Sequence, residues 1–177
     1  LNGIQVGLQW KPSDWVFVLG LGFFSYTGLK DTPPGNITSG AAGSGNTLDL
    51  NGNYPANFDI DEALFEVKKK WGQVDLMAFY EGLKNRNISS LNNASTYGLQ
   101  AGYKTWSLTW AQQEVEKDAV VALFTDSDFG GGVTSSRGQV YSLGGKITKK
   151  VQVQYTVFMN ENSIDLIPQK YERSHLD

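Results

Sequence analysis

With 177 residues, 40% of them hydrophobic, the chain can build one domain, and no stretch approaches the ~20 apolar residues of a membrane-crossing helix, which excludes a helical membrane protein. A net charge of −3, without any cluster of Lys and Arg interleaved with stacking aromatics, excludes a general nucleic-acid footprint. The mixture of 20 Gly, 5 Trp, 8 Tyr and 9 Phe with no Cys is aromatic and thiol-free, which fits a chain that crosses an oxidising compartment without wrong disulfides.

The run Gly3 to Lys11 puts Ile4, Val6, Leu8 and Trp10 on one parity and Gly3, Gln5, Gly7, Gln9 and Lys11 on the other. Period two means a strand with two different faces. After the turn residues Pro12, Ser13 and Asp14, a second strand carries Trp15, Phe17, Leu19, Leu21 and Phe23 against Val16, Val18, Gly20, Gly22 and Phe24. A long loop from Thr27 to about Asp61 follows, marked by Pro33-Pro34-Gly35, Ser39-Gly40, Gly43-Ser44-Gly45 and Asn51-Gly52-Asn53.

The unit then recurs. Ala63, Phe65, Val67 and Trp71 oppose Glu62, Leu64, Glu66, Lys68 and Lys70, with Lys69 breaking the apolar parity near a strand end, where it can snorkel. A turn at Gly72-Gln73 leads to Val74, Leu76, Ala78 and Tyr80 against Asp75, Met77, Phe79 and Glu81. Past a loop from Gly82 to Ser95, Tyr97, Leu99, Ala101 and Tyr103 form one face of the next strand, and a turn at Lys104-Thr105 gives Trp106, Leu108 and Trp110. The loop Val115 to Gly138 precedes Tyr141, Leu143, Gly145 and Ile147, then a turn at Thr148-Lys149-Lys150, then Val151, Val153, Tyr155, Val157 and Met159. Tyr171 to Asp177 opens a further strand.

Short and long connections alternate along the whole chain, as tight periplasmic turns and long extracellular loops do in outer-membrane barrels. The expectation is all-β: a transmembrane antiparallel up-and-down β-barrel, with residues 1–177 as a single partial domain of about nine strands. Because unpaired backbone in lipid costs several kcal/mol per group, the barrel is expected to close with strands before Leu1 and a last strand completed after Asp177. Trp10, Trp15, Trp71, Tyr103 and Trp106 share the apolar parity near the short turns, which predicts a membrane-interface girdle, with Phe23, Tyr26, Tyr80, Tyr97 and Tyr141 available for a second. The competing reading is a soluble β-rich module in which these rings pack a core.

The stretch Asp118-Ala119-Val120-Val121-Ala122-Leu123-Phe124-Thr125-Asp126-Ser127-Asp128-Phe129-Gly130-Gly131-Gly132, with Ser136-Arg137-Gly138 after it, resembles the C-terminal region of the family called putative porins in bacterial outer membranes. The tail Tyr171 to Asp177 looks like the start of that family's last strand. The resemblance is close over about Asp118 to Asp177 and implies fold and location more than substrate.

On that reading the lumen face carries Lys11, Glu62, Glu66, Lys68, Lys70, Asp75, Glu81, Lys104, Lys146 and Arg173, with Asp177 beyond them, either as a graded ion filter or as charges that hydrate the wall. Asp126 and Asp128 before the glycines are weak candidates for calcium, since no Glu follows at EF-hand spacing; no other cofactor is expected. Asp49, Asp59 and Asp61 belong to a loop long enough to fold inward as a constriction. Asn36-Ile37-Thr38, Asn87-Ile88-Ser89 and Asn93-Ala94-Ser95 match a glycosylation acceptor but read as polar loop chemistry. The sole His175 has no nucleophile on its own face, so no triad is inferred and no enzyme is expected. The expected function is a porin-like channel for passive diffusion of small solutes. Its partners would be the lipid bilayer, lipopolysaccharide and small solutes, with a homo-oligomer left open. The alternative is a non-conducting barrel serving as adhesin, anchor or surface platform, which Phe24, Met77, Phe79 and Phe158 on the inner parity keep open.

Overall fold

The computed structural model describes residues 1–37 and 44–176; Thr38, Ser39, Gly40, Gly43 and Asp177, on which loop, acceptor and last-strand readings rested, lie outside the described residues. Among the described residues nine strands are formed: β1 (Asn2–Trp10), β2 (Trp15–Tyr26), β3 (Phe58–Trp71), β4 (Val74–Asn85), β5 (Asn93–Tyr103), β6 (Trp106–Val115), β7 (Ser136–Lys146), β8 (Gln152–Asn162) and β9 (Gln169–Leu176). Each strand pairs antiparallel with its neighbours in sequence, giving one sheet in the order β1 to β9.

Direct pairing keeps like with like across the sheet. Ile4 faces Phe23, Leu19 faces Phe65, Phe65 faces Tyr80, Tyr80 faces Tyr97, Leu99 faces Trp110, and Trp110 faces Tyr141. A slip of one residue in any pair would send the apolar set to the opposite face, so the alternation fixes the register. The turns are tight: Trp15 N–H donates to the Pro12 carbonyl at 3.1 Å, and Gly72, at φ 63°, takes the left-handed conformation that a glycine adopts without a Cβ clash.

The structure overturns the expected fold in one respect that decides the rest. The transmembrane barrel is not formed: the sheet is open, with β1 and β9 as its two edges, and it encloses no lumen. Alternation specifies two faces and antiparallel order, but closure needs the backbone of the first and last strands to meet, and no side-chain pattern encodes that meeting. Among the described residues no helix is long and apolar enough to cross a membrane either.

Packing is concentrated at the long-loop end of the face that carries Gln, Glu and Lys elsewhere. Leu29, Tyr54, Phe58, Ile60 and Val121 are buried together there, with Phe24, Tyr26, Leu48, Leu83, Val120 and Leu123 packed around them. Ala94, Val115 and Ala119 form an adjoining buried set. The loops after β2 and β6 therefore lie over this face as a cap, and Tyr54 meets Phe58 edge-on at 5.9 Å. The cap fits closely: a Cβ at Gly45 would meet Thr134 Oγ1 at 2.6 Å, and Gly45 also sits at φ 106°. Because Phe58 is fully buried, Phe58→Ala is expected to cost about 3–5 kcal/mol. Chemical denaturation in detergent checks this, with Leu50→Ala, at a fully exposed position, leaving the midpoint unchanged.

Candidate functional site: the apolar face and the loop cap

The opposite face of the sheet is apolar and open. Ile4, Val6, Leu8 and Trp10 are each more than 60% exposed, and Leu19, Leu21, Phe65, Leu99, Leu108, Leu143 and Tyr155 continue the surface across the strands. A continuous apolar patch of this extent marks a surface built for contact with something other than water. The five rings expected as a girdle, Trp10, Trp15, Trp71, Tyr103 and Trp106, all lie at its short-turn margin and are all exposed. Phe17 stacks between Trp10 at 5.4 Å and Trp15 at 5.9 Å.

Lys69, the break in the pattern, places its ammonium 4.6 Å from the Trp15 ring centroid, and Lys104 does the same over Tyr103 at 5.1 Å. Each cation is held by an aromatic quadrupole while its stem covers apolar surface. At the long-loop margin the apolar face gives way to charge. Arg86 makes a two-pronged contact with Asp61, and Arg137 pairs with Glu161 at 3.2 Å. The Arg86 hydrogen bonds hold the Asp61 carboxyl below its ordinary value. This charged margin was not anticipated; its signal was the switch from aromatic to charged residues on the same parity of β3, β4, β6 and β7.

The charges expected to line a pore do share one face within the strands: Glu62, Glu66, Lys68, Lys70, Asp75, Glu81, Lys146 and Arg173. Lys11 and Lys104 sit in the turns next to β1 and β5. They form a stripe on an open surface, because no wall closes around them. Several are already engaged: Glu66 with Lys68 at 2.6 Å, Glu62 with the Gln5 amide at 2.5 Å, and Arg173 with Asp128 at 2.9 Å. Of the acids expected in the first long loop, Asp49 accepts the Asn51 and Asn53 N–H groups within its own turn, whereas Asp59 and Asp61 belong to β3, and Asp59 accepts from Ser25 at 2.6 Å. Among the described residues these acids build no constriction, since two of them stand in a strand of an open sheet.

The calcium candidates are also committed elsewhere. Asp126 accepts the Asp128 N–H at 2.9 Å, and Asp128 faces Arg173 and, at 3.6 Å, His175 Nδ1. Among the described residues no three His, Cys, Asp or Glu side chains gather as a metal site.

Buried amides lock the cap in place. Asn46 donates to the Lys117 and Val120 carbonyls at 2.8 and 2.9 Å, while its oxygen accepts the Ala122 N–H at 2.8 Å. Asp118 takes both the N–H and the hydroxyl of Thr47, and the Asp118 carbonyl accepts Asn85 Nδ2 at 2.9 Å. Asn92 donates to the Asn85 and Ile88 carbonyls at 2.7 and 2.6 Å. Lys117 pairs with Asp165 at 3.1 Å, which brings the loop after β8 into the same assembly. Hydrogen bonding from Ser135, then Lys117, holds Asp165 below its ordinary value. Burial, then the Asp118 charge, pushes the Tyr54 phenol up. The sequence reading missed this network because Asn in loops reads as turn chemistry, and only the tertiary fold buries these amides.

Beneath the cap lies a cavity of about 380 Å³, walled by Phe24, Tyr26, Ile60 and Leu83 of the sheet and by Val120 and Phe124 of the loop, with Glu62 and Glu81 at its floor. The aromatic-margined apolar face, the loop cap and the antiparallel meander agree with what the comparison of the chain with known families returns: the profile of the putative porins matches residues 38–177. The chain belongs to the putative porin family. No curated protein and no solved structure matches it.

The family match reaches well upstream of Asp118, so the hairpins of β3 to β6 belong to it as well. Membership carries a coarse membrane-associated location and a non-enzymatic role. The expected diffusion channel does not survive the fold, because a porin-like path needs a closed wall and this sheet has none. Asn46→Ala would take this partner from one buried and two half-buried backbone groups, at about 1–3 kcal/mol for the buried one and less for the others. Limited proteolysis should then cut the variant between residues 44 and 57 and between 116 and 126 faster than the parent.

Proposed function

We propose that this chain is a non-conducting structural element of the bacterial outer membrane, an anchor whose capped loops form a platform at the cell surface. One observation carries the reading: an open sheet leaves most of one face apolar and exposed while its other face is capped by loops at one end. Acyl chains are the partner that a greasy, ring-margined surface of this kind fits, and lipopolysaccharide would supply them in the outer leaflet. The indoles of Trp10, Trp15, Trp71 and Trp106 then sit at headgroup level, with their N–H groups toward water. The cap, held by Asn46, Asp118, Asn85 and Asn92, keeps the loops in a fixed shape that a partner could recognise.

The test uses vesicles containing lipids brominated along the acyl chain, with planar bilayers beside them. Tryptophan fluorescence is expected to be quenched on reconstitution, and the bilayers are expected to stay silent. Unquenched tryptophans would remove the lipid contact, and unitary current steps would remove the non-conducting assignment.

A further inference from the structure

Toward the short turns the apolar face is interrupted by a charge. Lys69 of β3 stands on the same parity as Phe65 and Val67, facing Trp15 of β2 on one side and Leu76 of β4 on the other. Its ammonium lies over the Trp15 ring, and among the described residues it makes no salt bridge. A charge on a lipid-facing position costs more the deeper it lies. Lys69 is one row inside the margin formed by Trp71, Tyr103 and Trp106, at a depth where an anion of the headgroup layer is within reach of its long stem.

Beside Lys69 the face is hollow. Two small side chains, Ala78 of β4 and Ala101 of β5, leave a groove of about 490 Å³ between Trp15 and Lys69 on one flank and Leu108 and Trp110 on the other. Trp15, Lys69, Leu76, Ala101 and Leu108 face one another in one row; Val67, Ala78, Leu99 and Trp110 form the next, further from the short turns. The cation therefore stands at the short-turn end of the groove. An apolar trough with a cation at one end has the chemistry to hold a hydrocarbon chain with a phosphate at its head.

We propose that this groove is a site for one anionic glycerophospholipid, with its phosphate on the Lys69 ammonium and a length of acyl chain laid over Ala78 and Ala101. The assignment rests on the reading that the apolar face meets lipid, and adds which lipid and where. Contact with Trp15 covers one side of the ammonium and leaves donors for phosphate oxygens. The margin selects the sign of the headgroup. Lys11, Lys70, Lys104, Lys146, Lys149 and Lys150 are exposed at or beside the short turns, against Asp14 and Asp75 as the acids there. Such an excess of positive charge favours a net negative headgroup over a zwitterionic one. The short turns lie at the opposite margin from the loop cap, so the lipid belongs to the leaflet away from the platform, where glycerophospholipid and not lipopolysaccharide supplies the phosphate.

The test reconstitutes the full chain, with Phe in place of Trp10, Trp71 and Trp106 so that emission comes from the two indoles of the groove, in phosphatidylcholine vesicles. A minor share of the lipid is brominated along the acyl chain, as either phosphatidylglycerol or phosphatidylcholine. Quenching titrations are expected to show brominated phosphatidylglycerol associating about fivefold more tightly, the ratio that one basic residue beside an anionic headgroup supplies. The parent, with all 5 Trp, should show the same preference at smaller amplitude. Lys69→Gln should bring the two lipids close to parity, Lys69→Arg should keep the preference, and Lys104→Gln, outside the groove, should lower it far less. Ala101→Phe fills the groove with every lysine in place, and it too should bring the lipids close to parity. Equal quenching by both lipids before any of these changes would overturn the site while leaving the lipid-facing reading intact, whereas no quenching by either would remove both. A preference that survives Lys69→Gln or Ala101→Phe, or that Lys104→Gln lowers as much, would reduce the site to diffuse attraction by the lysine margin and overturn it. Unlabelled lipopolysaccharide that displaces the brominated lipid better than unlabelled phosphatidylglycerol does would overturn the choice of ligand.

Discussion

Side chains of a strand alternate between two sides, and direct antiparallel pairing carries that alternation unbroken from one strand to the next. Everything in this molecule depends on the coherence of that rule over nine strands. Because apolar residues recur opposite one another along the middle of the strands, from Ile4 opposite Phe23 to Leu143 opposite Tyr155, the sheet sorts its residues into two surfaces with different chemistry. Hairpins with tight turns keep the register at one margin, and the long connections are left to gather at the other.

The second surface is not uniform, and its change of character along the strands creates the core seen among the described residues. Toward the short turns it carries Lys68, Lys70 and Asp75, which stay hydrated. Toward the loops it carries Phe24, Tyr26, Phe58, Ile60, Leu83 and Val115, which do not. Burying each large apolar side chain gains about 1.5–3 kcal/mol, enough to fold the long connections down onto the sheet. Folding them down buries their backbone, and buried backbone needs partners. Asn46, Asn85 and Asn92 supply these as amides able to donate and accept at once, and Asp118 adds an acceptor pair for Thr47.

The strands and turns were legible in the sequence because period two and turn residues such as Pro12-Ser13-Asp14 and Gly72-Gln73 are local signals. The exposed ring margin was legible for the same reason: Trp10, Trp15, Trp71, Tyr103 and Trp106 stand one or two residues from a turn. Closure was misjudged because it depends on whether two strand edges far apart in sequence meet. The cap was half visible. Phe24 and Phe158 stood out on the wrong parity, but what covers Phe24 is Val120 and Phe124, some hundred positions away, and nothing local links them. Separation along the chain also hid the Asp128 contacts with Arg173 and His175, which turn an apparent metal motif into a clasp between a loop and β9.

An open sheet shifts the burden of function from an interior to its surfaces. A row of charges inside a closed wall acts on whatever passes, since field lines are confined by low dielectric on every side; the same row on an open face is screened by water within about 10 Å at 0.1 M salt. Glu66 and Lys68 show the result, pairing with each other instead of presenting a single sign to a pathway. Under the cap, Ile60, Leu83 and Phe124 wall a cavity that Glu62 and Glu81 also line, and both carboxyls are half-buried there. A charge there is screened less than one on the open stripe. An electrostatic role is therefore better sought there than along the stripe of lysines and glutamates.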